Sequence, residues 1–320
     1  VIESRINLPA SFTGSPLAES LSFSEQVHNW LITKSFQCST VHEPDFAWPV
    51  LNVIAREHVL MKIIPVDLDS WQKVHQDSQL ARLSELLKAS RQGGFPTIVL
   101  WEDYWLAKKS IVQSRLAAML GISAKIPARL TLARRTDNAA TSAFLEANHL
   151  NGSTMSKFRF GLFLPKRYYR VLPQDFAFDR SADELLVAVA TFSNARIFDL
   201  NGRPFRSHEL IRFASLLGTN VVGALDKLLN AFIREKAPDD IMTYADLGWS
   251  DGRSYKRLGF EEKGSMAPRK AYVEVADMLR ERAPRQNGHS PEQPPVEYLT
   301  VYNLGSIKYV KTIKPSQTNE

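Results

Sequence analysis

A single cysteine, Cys38, stands in a chain of 320 residues. That excludes an intrachain disulfide and any cysteine-cluster metal site. The seven histidines show no metal-binding spacing. No apolar run approaches the roughly 20 residues of a membrane span, so no membrane partner is expected. The N-terminus has no charged segment followed by an apolar core, which predicts no secretion signal and a cytoplasmic location. No internal repeat is found. What is present is ordinary globular material, 44% hydrophobic and 23% charged, in a chain long enough for two sizeable cores.

The net charge of +6 is more informative in its location than in its size. Basic and acidic side chains balance before residue 128 and after residue 173. The excess falls between, where Arg129, Arg134, Arg135, Lys157, Arg159, Lys166, Arg167 and Arg170 stand against Asp137 and Glu146. Such a band can bind nucleic acid, a CoA phosphate or an acidic partner, and it can equally be a solvated face. Phe158, Phe160, Phe163, Tyr168 and Tyr169 interleave with it, either as stacking platforms or as alternate core positions of a strand.

The chain is organised around residues 218–262. Gly223-Ala224 opens a helical apolar period through Leu225, Leu228, Leu229, Phe232 and Ile233, which Pro238 ends. Ile241–Ala245 alternates like a strand. Ser250 is a candidate N-cap for a short helix, and Tyr255-Lys256-Arg257-Leu258-Gly259-Phe260 leads into another strand. A loop feeding N–H groups into a helix N-terminus suits an anion. This arrangement resembles the second half of the GNAT acyltransferase fold. The resemblance implies that Asn220, Val221, Val222, Gly223, Ala224 and Leu225 hold the pyrophosphate of acetyl-CoA or another acyl-CoA. It also implies that Tyr255 lies near the thioester. The loop departs from the family pattern in having one glycine and no basic residue.

Upstream, a strand over Leu130–Arg135 and a helix over Ala139–Asn148 precede strands over Lys157–Leu164, Leu185–Phe192 and Ser207–Ala214. In the GNAT layout the last of these and Ile241–Ala245 form a central pair splayed to admit the pantetheine arm. Glu209 or His208 is then a candidate base for an amine acceptor. Residues 165–183 read as an insertion. His149, in Asn148-His149-Leu150-Asn151-Gly152 after the helix, is open to three readings: a base, an N–H donor to substrate, or a helix-end cap.

The first part of the chain reads as a helix over Leu21–Thr33, three short strands, a helix within Asp67–Arg91, the strand Pro96–Trp101 and a helix through Leu120. That order, with Trp101-Glu102-Asp103-Tyr104-Trp105, resembles restriction-endonuclease and very-short-patch-repair-like domains. Proteins of phage homing-endonuclease-like and Bacteroidetes type carry these upstream of a GNAT-like segment. The nuclease Glu-x-Lys pair is missing from His58–Val66, which predicts a degenerate scaffold without nuclease activity. Glu102 and Asp103 are expected to cap the following helix.

The expected fold class is α/β (α+β) with two domains. An extended lead-in (1–20) precedes a degenerate restriction-endonuclease-like αβββαβ domain (21–124) and a GNAT-like mixed-sheet domain (125–275). A flexible linker (276–295) then leads to a terminal hairpin (296–313) completing the second sheet. The expected function is that of a GNAT-like protein, an acyl-CoA-dependent N-acyltransferase with an unidentified amine acceptor and Tyr255, Glu209 and His149 as catalytic candidates. The alternative is a DNA-associated mobile-element protein using both domains as binding modules. In it residues 128–173, chiefly Arg134, Arg135, Lys157, Lys166, Arg167 and Arg170, would track phosphates.

Overall fold

The computed structural model describes residues 21–200, 202–281, 283 and 297–313. The expected lead-in over 1–20, and residues 282 and 284–295 of the expected linker, lie outside them. Helix α1 (Phe23–Thr33) starts from a capping box. Ser22 Oγ accepts from the Glu25 N–H, and the Ser22 N–H donates to Glu25 Oε2 at 2.7 Å. Strands β1 (Gln37–His42), β2 (Pro49–Ala55) and β3 (His58–Val66) form an antiparallel meander. The single helix expected next is two, α2 (Leu68–Lys73) and α3 (Gln76–Gln92). Asp67 and His75 each supply an N-cap acceptor, so cap chemistry makes the break. Strand β4 (Thr97–Trp101), buried throughout, joins β3 in parallel.

The helix expected through Leu120 also divides, into α4 (Glu102–Ala107) and α5 (Lys109–Met119). Glu102 does not cap its own helix; its carboxylate accepts from the Leu68 N–H at 2.8 Å, at the start of α2. Asp103 is fully buried and receives Arg280 Nη2 at 2.8 Å. Beyond lie β5 (Ala124–Pro127), β6 (Leu132–Arg135), α6 (Asn138–Asn148), β7 (Phe158–Pro165) and β8 (Glu184–Phe192). Then come β9 (Arg196–Leu200), β10 (Arg203–Ser215), β11 (Thr219–Val222), α7 (Ala224–Lys236) and β12 (Asp240–Asp246). The chain closes with α8 (Arg253–Arg257), β13 (Glu261–Met266), β14 (Lys270–Glu274), β15 (Arg280–Glu281), β16 (Tyr298–Tyr302) and β17 (Ser306–Thr312).

These elements gather into two compact units that interleave along the chain. One takes the described residues up to Lys109 with 246–251 and 266–306; the other takes 110–245, 252–265 and those from Ile307 on. The first holds the sheets β1-β2-β3-β4 and β15-β14-β16 around a tryptophan-rich core. Trp71 packs edge-on to Trp101 at 4.9 Å and donates its Nε1–H to the Thr300 carbonyl at 2.9 Å. Among the described residues no three His, Cys, Asp or Glu side chains gather as a metal site.

The expected terminal hairpin is not formed. β16 pairs with β14, whereas β17 runs between β13 and β12 in another sheet. The turn between them is the reason. Asn303 Oδ1 accepts from the N–H groups of Arg269 and Gly305, and the Gly305 carbonyl accepts from the Leu247 N–H. Gly305 sits at φ +85°, and a Cβ there would lie 2.3 Å from the Met266 carbonyl oxygen. Backbone on both sides thus claims this turn and sends the two strands apart.

The second unit holds an eight-stranded mixed sheet, β13-β17-β12-β10-β8-β7-β6 with β9 paired to β10, and the short β11-β5 pair. Helix α7 covers one face, where Phe232 stacks on Phe192 at 3.9 Å and 7°. Helix α6 covers the other, packing Phe144 and Leu145 on Val189 and Ala214.

The Asp103–Arg280 pair yields a stability test. Asp103→Ala strands a buried guanidinium and should cost about 3–5 kcal/mol in chemical denaturation of the first unit. Asp103→Leu with Arg280→Met should recover most of that loss, because no charge is left buried.

Candidate active site

Strands β10 and β12 pair in parallel for three residues only, from Ser207↔Asp240 to Glu209↔Met242. Beyond them β10 turns to β8, and the register shifts between Leu210 and Arg212, the mark of a β-bulge. The parallel pair is therefore splayed from Leu210 onward. The bulge also changes which way β10 faces. Leu210 pairs with Phe192 and shares its α7-side core, while Arg212 pairs with Thr191 on the α6 face.

Tyr255 is held at this opening. Its hydroxyl bonds Thr243, and Thr243 Oγ1 donates to the Leu210 carbonyl across the gap at 3.0 Å. Burial pushes the Tyr255 pKa up, against lowering by Thr243 and Arg115, so the phenol keeps its proton at neutral pH. The ring rests against Phe260 and Tyr309, each 5.6 Å away. Ser250 is not the cap of α8; Gly252 is, at φ +73°, where a Cβ would strike Tyr309 Oη at 2.0 Å. The glycine thus admits the tyrosine that backs Tyr255.

The expected phosphate loop is only partly a loop. Thr219–Val222 is β11, paired in parallel with β5, so the ladder engages Asn220, Val221 and Val222. What remains is the start of α7. Gly223 caps it at φ +81° with no side-chain cap hydrogen bond, leaving first-turn N–H groups from Ala224 and Leu225 without a side-chain acceptor. Asp226 lies in this turn, and the nearest lysine is committed: Lys227 Nζ donates to the carbonyls of Ala128 at 2.9 Å and Thr131 at 2.5 Å.

His149 follows α6 as its C-cap residue, and its Nδ1 accepts from the Asn151 N–H at 3.1 Å. That bond places the proton on Nε2. Burial, then Arg115 and Arg212, pull its pKa down to about 3, so the imidazole is neutral and a weak base. Of the three readings, the helix-end cap is the one this geometry shows, and Nε2–H is left as a donor. Arg115, which the sequence did not single out, lowers the pKa of both His149 and Tyr255 as a lesser cause in each. Glu209 lies on the α6 face, its N–H donating to Ser193 Oγ at 2.8 Å. His208 is buried, its Nδ1 3.0 Å from the Ser193 carbonyl and its ring edge-on to Phe232.

The basic band is largely engaged within the fold. Arg134 pairs with Glu184 and lies over Phe163; Arg135 pairs with Glu235 and lies over Phe158 and Phe160. Lys166 Nζ donates to the Ser181 carbonyl at 3.2 Å, and Arg170 to the Arg167 carbonyl at 2.8 Å. Arg167 and Arg170 flank Tyr168, and Lys157 is exposed ahead of β7. The structure places Tyr255 where β10 and β12 part and Glu209 on the bulged strand.

No protein-family model matches the chain, and no curated protein matches it by sequence. Among solved structures it is similar to a chain of the NatC complex bound to Gag peptide and CoA. The TM-score is 0.31 and the identity 8%, over 57% of this chain and 99% of that one. It is also similar to the histone acetyltransferase HPA2 and related acetyltransferase from Corynebacterium glutamicum ATCC 13032. There the TM-score is 0.24 and the identity 14%, over 50% of this chain and 66% of that one. Likenesses at such scores say nothing about chemistry or substrate.

The His149 environment predicts an acid-sensitive fold. Its folded pKa, about 3, lies below the unfolded value of about 6.5, so the unfolded chain binds the extra proton. Its contribution to stability is complete above pH 6.5 and is lost as pH falls toward 3. NMR titration should show His149 neutral at pH 5, and His149→Asn should flatten the acid branch of the stability curve.

Proposed function

We propose that the second unit is an acyl-CoA-dependent N-acyltransferase whose site is the opening between β10 and β12. The observation that carries this reading is the placement of Tyr255, through Thr243, at the point where the two strands part. A narrow acyl arm can enter between strands only where the ladder is open, and a protonated phenol there meets what leaves.

The start of α7 fits the phosphate end of such a donor. Gly223 leaves close approach open, since a Cβ would meet only Ala128 Cβ at 3.6 Å, and the N–H groups of Ala224 and Leu225 have no side-chain cap. With Asp226 nearby and Lys227 committed, backbone donors carry the binding, which points to weak affinity. When bound, acyl-CoA supplies a thioester. Tyr255 donates its proton to the departing sulfur, and Thr243 holds the phenol in line. Glu209, on the opposite face, takes the proton that the attacking amine gives up, and His149 offers Nε2–H as a hydrogen-bond donor.

Calorimetry with acetyl-CoA should give a Kd between about 10 µM and 1 mM, that is, about 4–7 kcal/mol. Gly223→Val should abolish binding with the fold intact. Tyr255→Phe should leave the Kd unchanged and slow turnover by about 100-fold. No heat at millimolar acetyl-CoA would remove the proposal, as would a Tyr255→Phe enzyme of undiminished rate.

A further inference from the structure

All of β9 is exposed, as are Arg203, Pro204 and Arg206 opposite it, so β9 and the start of β10 form a two-stranded arm. Ile197 is 68% exposed, Phe198 53% and Leu200 54%. Among the described residues β9 pairs with β10 alone. Arg206, the cross-strand partner of Ile197, turns its N–H to Asp239 Oδ2 at 2.6 Å and its carbonyl to the Asp239 N–H at 3.0 Å. Ile197 and Arg206 are therefore a non-hydrogen-bonded pair. The N–H and C=O groups of Ile197, and of Asp199 two residues on, point to the free edge. Sheet edges usually carry charge, proline or a bulge that discourages a further strand. The outer strand β13 does so, opening with Glu261, Glu262 and Lys263. β9 does not; its register with β10 runs without a shift, and Ile197, Phe198 and Leu200 stand on the edge.

Directly paired residues share a face of the sheet. Arg196, Phe198 and Leu200 therefore lie on one face with Ser207, Phe205 and Arg203. Along it a cation stands at each end of an apolar stretch, Arg196 at the base and Arg203 at the tip. Exposed Lys157 adds to the base, since its N–H donates to the Phe192 carbonyl at 3.0 Å shortly before β9 begins. Among the described residues Arg196, Arg203 and Lys157 join no ion pair, whereas Arg206, on the opposite face, pairs with Asp239 at 3.5 Å. Asp199, also on the opposite face, accepts from the Gly202 N–H at 2.9 Å within the turn. The free edge is thus apolar in its middle and positive at both ends.

We propose that the free edge of β9 receives an extended acidic polypeptide segment of another protein as an added strand. Outward backbone donors and acceptors at alternate residues are met in register by another strand, not by a lipid surface or a small ligand. The segment sets an acid against Arg196 and Lys157, apolar residues beside Phe198 and Leu200, and a second acid at its far end for Arg203. A second copy of this chain lacks that complementarity. Antiparallel pairing of β9 with its own copy over its whole length sets Arg196 opposite Leu200 and Ile197 opposite Asp199. No charge then meets its opposite, and the unpaired cations of both copies are brought together. The arm ends before the opening at Leu210 begins, so strand addition here requires no acyl-CoA.

Binding to the full chain is read by fluorescence anisotropy with a labelled peptide that alternates threonine with glutamate, phenylalanine, leucine and glutamate. A peptide with lysine in place of glutamate is its counterpart. At low salt the acidic peptide should bind about tenfold more tightly than the lysine peptide, a margin that shrinks as salt rises. Methylating one alternate set of its backbone nitrogens should abolish binding, and methylating the other set should not. Ile197→Pro removes an outward N–H and spares the ladder to β10, so it should weaken binding about tenfold with circular dichroism unchanged. Arg196→Glu with Arg203→Glu should reverse the preference toward the lysine peptide, an outcome that misfolding does not produce. Equal binding of the two peptides overturns the inference, as does no binding of the acidic peptide at millimolar concentration. A dimer in light scattering that Ile197→Pro abolishes, without peptide binding, overturns it in favour of a second copy. Binding to phosphatidylserine–phosphatidylcholine vesicles without peptide binding overturns it in favour of a lipid surface.

Discussion

A parallel strand pair that stops pairing after three residues must be held open by something, because unpaired buried backbone is costly. In this chain the bulge at Leu210–Arg212 does it, handing β10 from β12 to β8. The side-chain hydroxyl of Thr243 satisfies the Leu210 carbonyl where a ladder bond would have run. The same bulge reverses the facing of β10, so that Leu210 enters the α7-side core while Arg212 joins Thr191 on the other side. One irregularity therefore creates the opening, seats Tyr255 beside it and points a cation at the far face.

Charge in this protein shows why counting is a poor guide to where potential acts. The excess of basic residues lies in 128–173, yet Arg134 and Arg135 pair there with Glu184 and Glu235. Such exposed pairs are worth little in energy, but they offset two of the eight charges that a simple count assigns to the band. The cations that shape the site electrostatically are Arg115 and Arg212, both outside the band. Burial is the larger cause of the lowered His149 pKa, and the two arginines add to it where water screens little.

The two units use aromatic residues differently. In the first, Trp48, Trp71 and Trp101 form a contiguous cluster, and Trp71 Nε1 finds its partner in Thr300 on a strand remote in sequence. In the second, stacking of Phe192 and Phe232 fixes α7 to the sheet, and Tyr255 and Tyr309 close the far end. Gly252 permits that closure, since any side chain would collide with Tyr309.

Local features were legible in the sequence because local physics sets them. The apolar period of α7, the strands β8 and β12, the helix end at Pro238, and the Tyr255–Phe260 turn all come from spacing and turn chemistry. Tyr255, His149 and Glu209 could be nominated by residue type and position. Tertiary structure decided what these residues are. His149 is a weak base first because tertiary packing buries it, and then because Arg115 of α5 and Arg212 of β10 act on it, and no spacing encodes that burial. Residues 219–222 became a strand because β5, 95 positions earlier at matching register, offered an edge. The terminal hairpin failed because Asn303 and Gly305 bond to distant backbone more favourably than β16 and β17 bond to each other. Helix and strand are read from neighbours in sequence; pKa, register and sheet membership belong to neighbours in space.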